Sequence, residues 1–537
     1  MAAPQPAVVV KRRIIVAALA SAVAFSVIGA RLVEVMVLNG TGRPAAVAAL
    51  PGKPTRGDLV DRNGVLIARD LPVSDLYASP SVFADPAEAA ARLAEATGAS
   101  KARLQKAFVP KKGYVLVQRA LTPDERDHVM SLGLPGLNFE KGLKRYYPSG
   151  RAVAHAVGQV DADAHGVSGL ELGLDKSVRG SHEPTQLSFD MRVQYALQRE
   201  IADTARKFHA IAAAGLVMNV HTGEVLALTS LPDYEPNLRT LGEGDSIRNR
   251  ITQDVYELGS IFKVFAFTEA LEEGTVRLDE MIDIGKPLRI GRFSIGDYDD
   301  HGHSITAAMV FADSSNIGTA QIGLRSGAEK QKAFLEKLGL LTPIKTEVPE
   351  IAAPLYPRRW SITETATVSF GHGISVNPLA FAAAAASVVN GGTKVTPTFL
   401  KNATVQHGER VISEETSIAM RQLMRLVVTD GTGSKAEVPG YEIGGKTGTA
   451  EKPTKHGYSR KLQITSFVGA FPSSDPQFLV FAMFDEPKGN KESFGFATAG
   501  WTAAPAVGRV IARIAPLLGV PRNEHFQEVS TIAADVP

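Results

Sequence analysis

The chain opens on an uncharged stretch. Residues 14–30 carry no charge, Arg31 and Glu34 interrupt, and the apolar run resumes over 35–38. At about 1.5 Å per residue, those first seventeen residues fall just short of a bilayer core, and counting on to Leu38 exceeds it. Lys11, Arg12 and Arg13 precede the run. A basic cluster on that side predicts a membrane anchor with its N-terminus in the cytoplasm and the rest of the chain outside. Arg31 can snorkel to the far interface. Two other readings stand beside the anchor. A cleaved signal peptide would use Ala46-Val47-Ala48, which lies well beyond the run. A buried core helix fits poorly behind three basic residues at an N-terminus.

Farther on the pattern changes. Residues 39–55 alternate glycine and proline with small residues and read as a linker. Asn63-Gly64 between short apolar runs predicts a hairpin whose two central residues both need positive φ. Asp85-Pro86 opens a helix that Gly98 closes, and Ser100 caps another that ends before Pro110. Val193, Ala196, Leu197, Ile201, Ala202 and Ala205 fall on one face of a long helix. Nearly continuous apolar runs at 215–220 and 224–228, joined by His221-Thr222-Gly223, predict a β-hairpin in a covered sheet. Alanine-rich helices dominate 260–390, strand-like runs return at 467–471 and 478–484, and a final helix is expected over 507–518. The last twenty residues lack periodicity and read as a loose tail. No internal repeat is evident.

Composition narrows the function classes. The chain has 537 residues, enough for two to four domains, and 44 % of them are apolar, which excludes global disorder. A net charge of +2 is too balanced for nucleic-acid binding through bulk charge. There is no cysteine, so disulfides, thiol nucleophiles, iron–sulfur clusters and Cys-ligated zinc are excluded.

Three short strings carry candidate chemistry. In Ser260-Ile261-Phe262-Lys263 the lysine lies one helical turn after the serine. A serine hydroxyl needs a base, and a lysine serves only if burial or cationic neighbours lower its pKa. A helix start here also offers a backbone N–H to an oxyanion. The plain alternative for Ser260 is a helix N-cap. In Ser314-Ser315-Asn316, a hydroxyl can relay a proton and the Asn316 amide can hold a substrate amide; the plain alternative is a polar turn. In Lys446-Thr447-Gly448-Thr449, Gly448 allows close backbone approach, the lysine and two threonine hydroxyls suit a carboxylate, and the Thr449 N–H suits an oxyanion. The plain alternative is a Gly-rich edge strand. Asp299-Asp300-His301-Gly302-His303 suggests a metal site but lacks a distant third ligand, and reads as a surface loop. Arg358-Arg359 reads as a solvated pair.

Taken together, in this order, the strings resemble the S-x-x-K, S-x-N and K-T-G set of the penicillin-interacting serine acyl-transferases, over about residues 190–515. Arg56-Gly57, Asp61-Arg62-Asn63-Gly64, Arg145-Tyr146-Tyr147-Pro148-Ser149-Gly150, Ala154-His155, Gly158 and Gly166-x-x-Gly169-Leu170-Glu171 resemble the pedestal of class B penicillin-binding proteins. Ser369-Phe370-Gly371-His372-Gly373, Asn377-Pro378, Asn390-Gly391-Gly392 and Asp485-Glu486-Pro487 resemble their transpeptidase domain. Leu258 stands where that family usually has proline, and His372 where it often has tyrosine.

The resemblance implies an α+β multidomain chain: a cytoplasmic stub (1–13), a transmembrane anchor (14–38), a linker (39–55), a mixed pedestal (56–189), a transpeptidase domain with an antiparallel sheet flanked by helices (190–517) and a tail (518–537). It implies a peptidoglycan D,D-transpeptidase of the division subtype in the inner membrane, sensitive to β-lactams, with no cofactor and no metal. Lys263 would take the proton of Ser260, which attacks the carbonyl between two terminal D-alanines. The N–H groups of Ser260 and Thr449 would meet the oxyanion. Ser314, aided by Lys446, would protonate the departing D-alanine. Asn316 would orient the acylated peptide, and Thr447 and Thr449 would hold the leaving carboxylate. The implied partners are peptidoglycan stem peptides, β-lactams, the membrane, a polytopic glycan-strand polymerase and other division proteins, without nucleic acid. Arg31 and Glu34 are candidate polymerase contacts, with interfacial snorkelling as the plain reading. An elongation-type enzyme, a division scaffold with dispensable activity, a β-lactamase or penicillin sensor, and a D,D-carboxypeptidase are the alternatives.

Overall fold

The computed structural model describes residues 55–109, 113–238, 244–291, 293–298, 302–401, 408–454 and 457–523, together with the helical positions 19, 21–23 and 25–27. Those helical positions belong to one compact unit, Met1–Ala49, and the rest to a second, Leu50–Pro537. In the first unit Leu19, Val23, Phe25 and Val27 are exposed. Most of the expected anchor, the stub, nearly all of the linker, Ala46–Ala48, Arg31 and Glu34 lie outside the described residues, as do Asp299–His301 and positions 524–537. Among the described residues no helix is long and apolar enough to cross a membrane.

The second unit begins with a sheet. Strand β1 (Leu59–Val60) turns into the long β2 (Leu66–Ala78). The turn is closed by Asp61, whose Oδ1 accepts from the N–H groups of Asn63 (2.7 Å) and Val65 (2.8 Å). Only Gly64 has positive φ, +86°, so Asn63 does not need the left-handed region as the sequence reading expects. A turn ending in left-handed glycine with a bulge replaces the two-residue mirror-image turn, because the Asp61 carboxylate satisfies the N–H groups instead. Helices α1 (Pro86–Thr97) and α2 (Lys101–Phe108) are capped by Asp85 and Ser100 as expected, and Gly98 ends α1 at φ +69°. Strand β3 (Val115–Leu121), helix α3 (Pro123–Ser131) and strand β4 (Leu137–Tyr146) follow. Both strands pair antiparallel with β2. Leu76, Leu93, Leu104, Phe108, Val117 and Val129 form a small apolar core between this sheet and the helices.

Below that core, charges are buried. Arg56 donates to Glu171 at 2.7 and 3.0 Å, and Arg145 donates to the same carboxylate at 2.7 Å and to Asp70 at 3.2 Å. The side chains of Arg56 and Glu171 have no exposed area. Strand β5 (Thr185–Gln186) returns parallel to β1 and leads onward.

The remaining elements build a second sheet between two helical layers. Helix α4 (Met191–Lys207) is followed by the hairpin of β6 (Ala212–Asn219) and β7 (Val225–Leu231). Then come α5 (Lys263–Glu272), α6 (Ala307–Ala312), α7 (Asn316–Ser326), α8 (Pro378–Val389) and α9 (Glu414–Thr429). Strands β8 (Gly444–Thr454), β9 (Gly457–Phe471) and β10 (Phe478–Asp485) and helix α10 (Ala503–Leu517) complete the unit. The strand order is β8-β9-β10-β6-β7, antiparallel throughout, with β8 at one edge. One face packs Val193, Leu197 and Ile201 of α4 and Val507, Val510, Ile511 and Ile514 of α10. The other packs Phe262, Phe265 and Phe381 from the alanine-rich helices against Leu216, Phe481 and Met483. With both faces covered, every residue of β10 is buried, which is why the strand runs read as continuously apolar. Helix α8 is buried all round.

Two boundary expectations are corrected. The last helix begins at Ala503, not 507, because Pro505 falls in its first turn, where its missing N–H has no intrahelical partner anyway. Positions 518–523 are not loose: Val520 is buried and the Asn523 N–H donates to Gly440 O at 2.9 Å.

Candidate active site

The three strings converge where the helical half meets the edge strand β8. Ser260 lies within a tight helical turn, Gly259–Phe262, that runs directly into α5. It makes no side-chain cap, so the N-cap alternative fails. Gly259 has φ +59°, and a Cβ there would stand 3.1 Å from the Cβ of Ala450. The turn therefore rests directly on β8, and on the other side it rests on Gly371, where a Cβ would meet Gly259 O at 2.2 Å.

Lys263, the first residue of α5, is fully buried. Its Nζ donates to Ser314 Oγ at 3.0 Å and also to the Ser314 carbonyl. Lys446 on β8 is equally buried, and its Nζ donates to the same hydroxyl at 2.9 Å and to Thr447 O at 3.2 Å. Ser314 thus sits between two lysine amines, at φ +65° in the bend between α6 and α7. That backbone conformation is uncommon for a residue with a side chain, and here it turns both carbonyl and hydroxyl toward Lys263. A hydroxyl with two lone pairs can accept from both lysines and still donate its own proton.

The electrostatics follow from burial. Desolvation, reinforced by the Lys446 charge and opposed by Asp297, holds Lys263 well below the usual lysine range. Desolvation, opposed by Asp313, lowers Lys446 to about 7. Two buried amines sharing one hydroxyl favour a state in which at least one is neutral. Among the described residues no hydrogen bond joins Lys263 to Ser260 Oγ, so in the free protein the base rests on Ser314.

Ser315 caps α7, and Asn316 begins it, half-exposed beside Ser314. The polar-turn reading of this string therefore holds as geometry, and the turn is also where the lysines meet. On β8, Thr447 Oγ1 shares a 2.6 Å hydrogen bond with Thr432 Oγ1, and Thr449 Oγ1 accepts from the Ala499 N–H at 3.2 Å. Gly448 packs under the nucleophile turn: a Cβ would lie 2.7 Å from Leu258 O and 2.9 Å from Ile261 Cγ2. Arg358 and Arg359 are exposed, as a solvated pair would be.

Several residues here escape sequence reasoning. Asp297 accepts from Ser315 Oγ and from the N–H groups of Asn316 and Ile317. Thr432 supports Thr447. Tyr458 and Glu257 join His372, a position the motifs had singled out: the Tyr458 and His372 ring centres lie 4.0 Å apart with their planes tilted by 40°, and both reach the Glu257 carboxylate, Tyr458 Oη at 3.0 Å and His372 Nδ1 at 3.6 Å. Each belongs to a loop or a strand end with no periodic signal. Leu258, at the family's usual proline position, is buried in the main core.

A family model described as penicillin binding protein transpeptidase domain matches residues 213–507, and one described as penicillin-binding protein dimerisation domain matches 51–205. The chain belongs to the penicillin-binding protein transpeptidase family. Among the relatives of this family member, the probable peptidoglycan D,D-transpeptidase FtsI of Caulobacter vibrioides is 43 % identical, over 89 % of this chain and 83 % of that protein. The probable peptidoglycan D,D-transpeptidase PenA of Neisseria meningitidis is 31 % identical, over 90 % of this chain and 87 % of that one. The solved structure of penicillin binding protein 3 from Mycobacterium tuberculosis, in its apo form, superposes with a TM-score of 0.69 at 25 % identity, covering 88 % of this chain and 98 % of that one. The transpeptidase fold expected from the motifs, a sheet flanked by helices behind a dimerisation-type domain, is the fold observed.

Proposed function

We infer that this penicillin-binding protein is a division-type peptidoglycan D,D-transpeptidase with Ser260 as its nucleophile. The observation that carries the reading is Ser314 Oγ held by two buried lysines, one of them a single turn after Ser260. Neutral Lys263 accepts the Ser260 proton as Oγ attacks the carbonyl carbon of the penultimate D-alanine. The tetrahedral oxyanion is met by the N–H groups of Ser260 and Thr449, the latter on an edge strand. The C–N bond then breaks, and Ser314 delivers a proton to the amine of the departing D-alanine. Lys263 reprotonates Ser314 through the hydrogen bond already present. Lys446 supplies positive charge beside the substrate's carboxylate, and Thr447 and Thr449 bind that carboxylate. Asn316 holds the acyl chain while a neighbouring stem's amine attacks the ester and restores Ser260. A β-lactam acylates the same hydroxyl by opening its ring.

The uncharged run at 14–30, resumed over 35–38 and preceded by three basic residues, supports single-pass anchoring in the inner membrane, with the catalytic domain outside. Pairing of that helix with a polytopic glycan-strand polymerase is part of the same proposal. Fluorescent-penicillin labelling of cells tests it. Label concentrated at septa and lost in Ser260→Ala is expected. Label dispersed along the envelope would contradict the division subtype, and stoichiometric label on Ser260→Ala would contradict the nucleophile.

A further inference from the structure

Asp297 belongs to none of the three strings. It lies between the short strands Phe293–Ile295 and Ser304–Thr306 and reaches the start of α7. Its Oδ2 accepts from Ser315 Oγ at 2.6 Å, and its Oδ1 accepts from the N–H of Asn316 at 2.5 Å and of Ile317 at 3.0 Å. A helix cap alone would be the plain account. Yet Ser315 already caps α7, its Oγ accepting from the Gly318 N–H at 3.0 Å. The added carboxylate ties the residue after Ser314 to a separate segment. The tied bend is the one that holds Ser314 at φ +65° between the two lysines and leads into Asn316, the first residue of α7.

We propose that Asp297 is a positioning residue of the acyl-transfer reaction, fixing the Ser314–Asn316 bend against Lys263 through Ser315 Oγ and the first N–H groups of α7. Its charge has a second effect. The charged groups that bear on the lysine pair are Lys446 from β8, Asp297, and Asp313 at the end of α6. Asp297 is the one that favours the protonated form of Lys263. Without it, Lys263 stays neutral to lower pH. The acid limb of acylation then moves to lower pH even as the rate falls, whereas a purely structural cap would lower the rate without moving the limb.

The inference rests on the reading of Ser260 and Lys263 above. The test measures the second-order rate of acylation by a fluorescent penicillin across the acid limb, using the detergent-solubilised full chain, with the adduct located by peptide mass mapping. For Asp297→Asn the plateau is expected to fall between about tenfold and a hundredfold, with the limb displaced to lower pH. Asp297→Glu, which restores the charge on a longer arm, is expected to return the limb to its wild-type position and recover part of the rate. A wild-type profile in Asp297→Asn overturns the role of Asp297. So does an equal loss in both variants with the limb unmoved. Absence of an adduct on Ser260 in the wild-type protein would instead remove the reading on which the inference rests.

Discussion

Gly448 offers a one-methyl probe of the contact between the edge strand and the nucleophile turn. Its neighbours allow no side chain: an added Cβ would lie 2.7 Å from Leu258 O, 2.7 Å from Ser466 Oγ and 2.9 Å from Ile261 Cγ2. Ser466 Oγ can rotate away. Leu258 O is backbone, and Ile261 is fully buried, so neither yields without moving the turn. Opening the Leu258 contact from 2.7 Å to ordinary van der Waals distance, about 3.4 Å, requires roughly 0.7 Å of separation between β8 and the turn. Overpacking of this kind costs about 1–3 kcal/mol of stability. A shift near 1 Å at the oxyanion donors costs about a hundredfold in rate. Gly448→Ala should therefore melt several degrees lower and acylate about a hundredfold more slowly, because Thr449 is carried away from Ser260. Stopped-flow acylation by a reporter penicillin and thermal unfolding of the same preparation measure both. Acylation at the wild-type rate, with or without a lower melting point, would refute the claim that close strand–turn contact sets the oxyanion geometry.

Three further outcomes follow from other parts of the molecule. Lys446→Met removes a charge that depresses Lys263 and one of the two donors to Ser314; acylation near neutral pH should fall about a hundredfold and recover partly as pH rises, because Lys263 then needs higher pH to become neutral. Glu171→Gln leaves Arg56 and Arg145 without their shared buried anion and should destabilise the pedestal by about 3 kcal/mol; limited proteolysis should cut there sooner while the acylation rate stays within twofold or so. Glu269, pushed up from 4.5 to about 8 mainly by burial and then by Glu273, holds its proton more tightly in the folded state. Its contribution to stability is complete below about pH 4.5 and is lost as pH rises through about 8, so the melting temperature should fall across that window and fall less in Glu269→Gln.

What the sequence discloses is what is local. Ser260 and Lys263 are one turn apart, the caps of α1 and α2 adjoin their helices, and the apolar runs of β6, β7 and β10 are contiguous. The site's supporting residues are of another kind. Asp297 meets Asn316 across nineteen residues and Thr432 meets Thr447 across fifteen, through loops that impose no period. The positive φ of Ser314, which makes one hydroxyl serve two lysines, has no signature in Ser-Ser-Asn. In the pedestal, Arg56, Arg145 and Glu171 stand in strings that resemble family motifs, but their convergence on one carboxylate joins residues 115 and 26 positions apart. The Asn63–Gly64 turn shows the limit of dipeptide rules: a carboxylate two residues earlier changes the turn that the pair adopts. The start of α10 is obscured by Pro505, a residue that usually argues against a helix, whereas Gly508, inside the expected helix, is needed because a Cβ would strike Ala436 O at 2.8 Å.

The central claim is that Ser260, activated beside the Lys263–Ser314–Lys446 cluster, is the acylated residue. The most direct measurement is peptide mass mapping of the purified full chain after reaction with benzylpenicillin. The account predicts one penicilloyl group per chain, on the peptide carrying Ser260, and none in Ser260→Ala. A stoichiometric adduct on any other residue, or one that persists in Ser260→Ala, would contradict it.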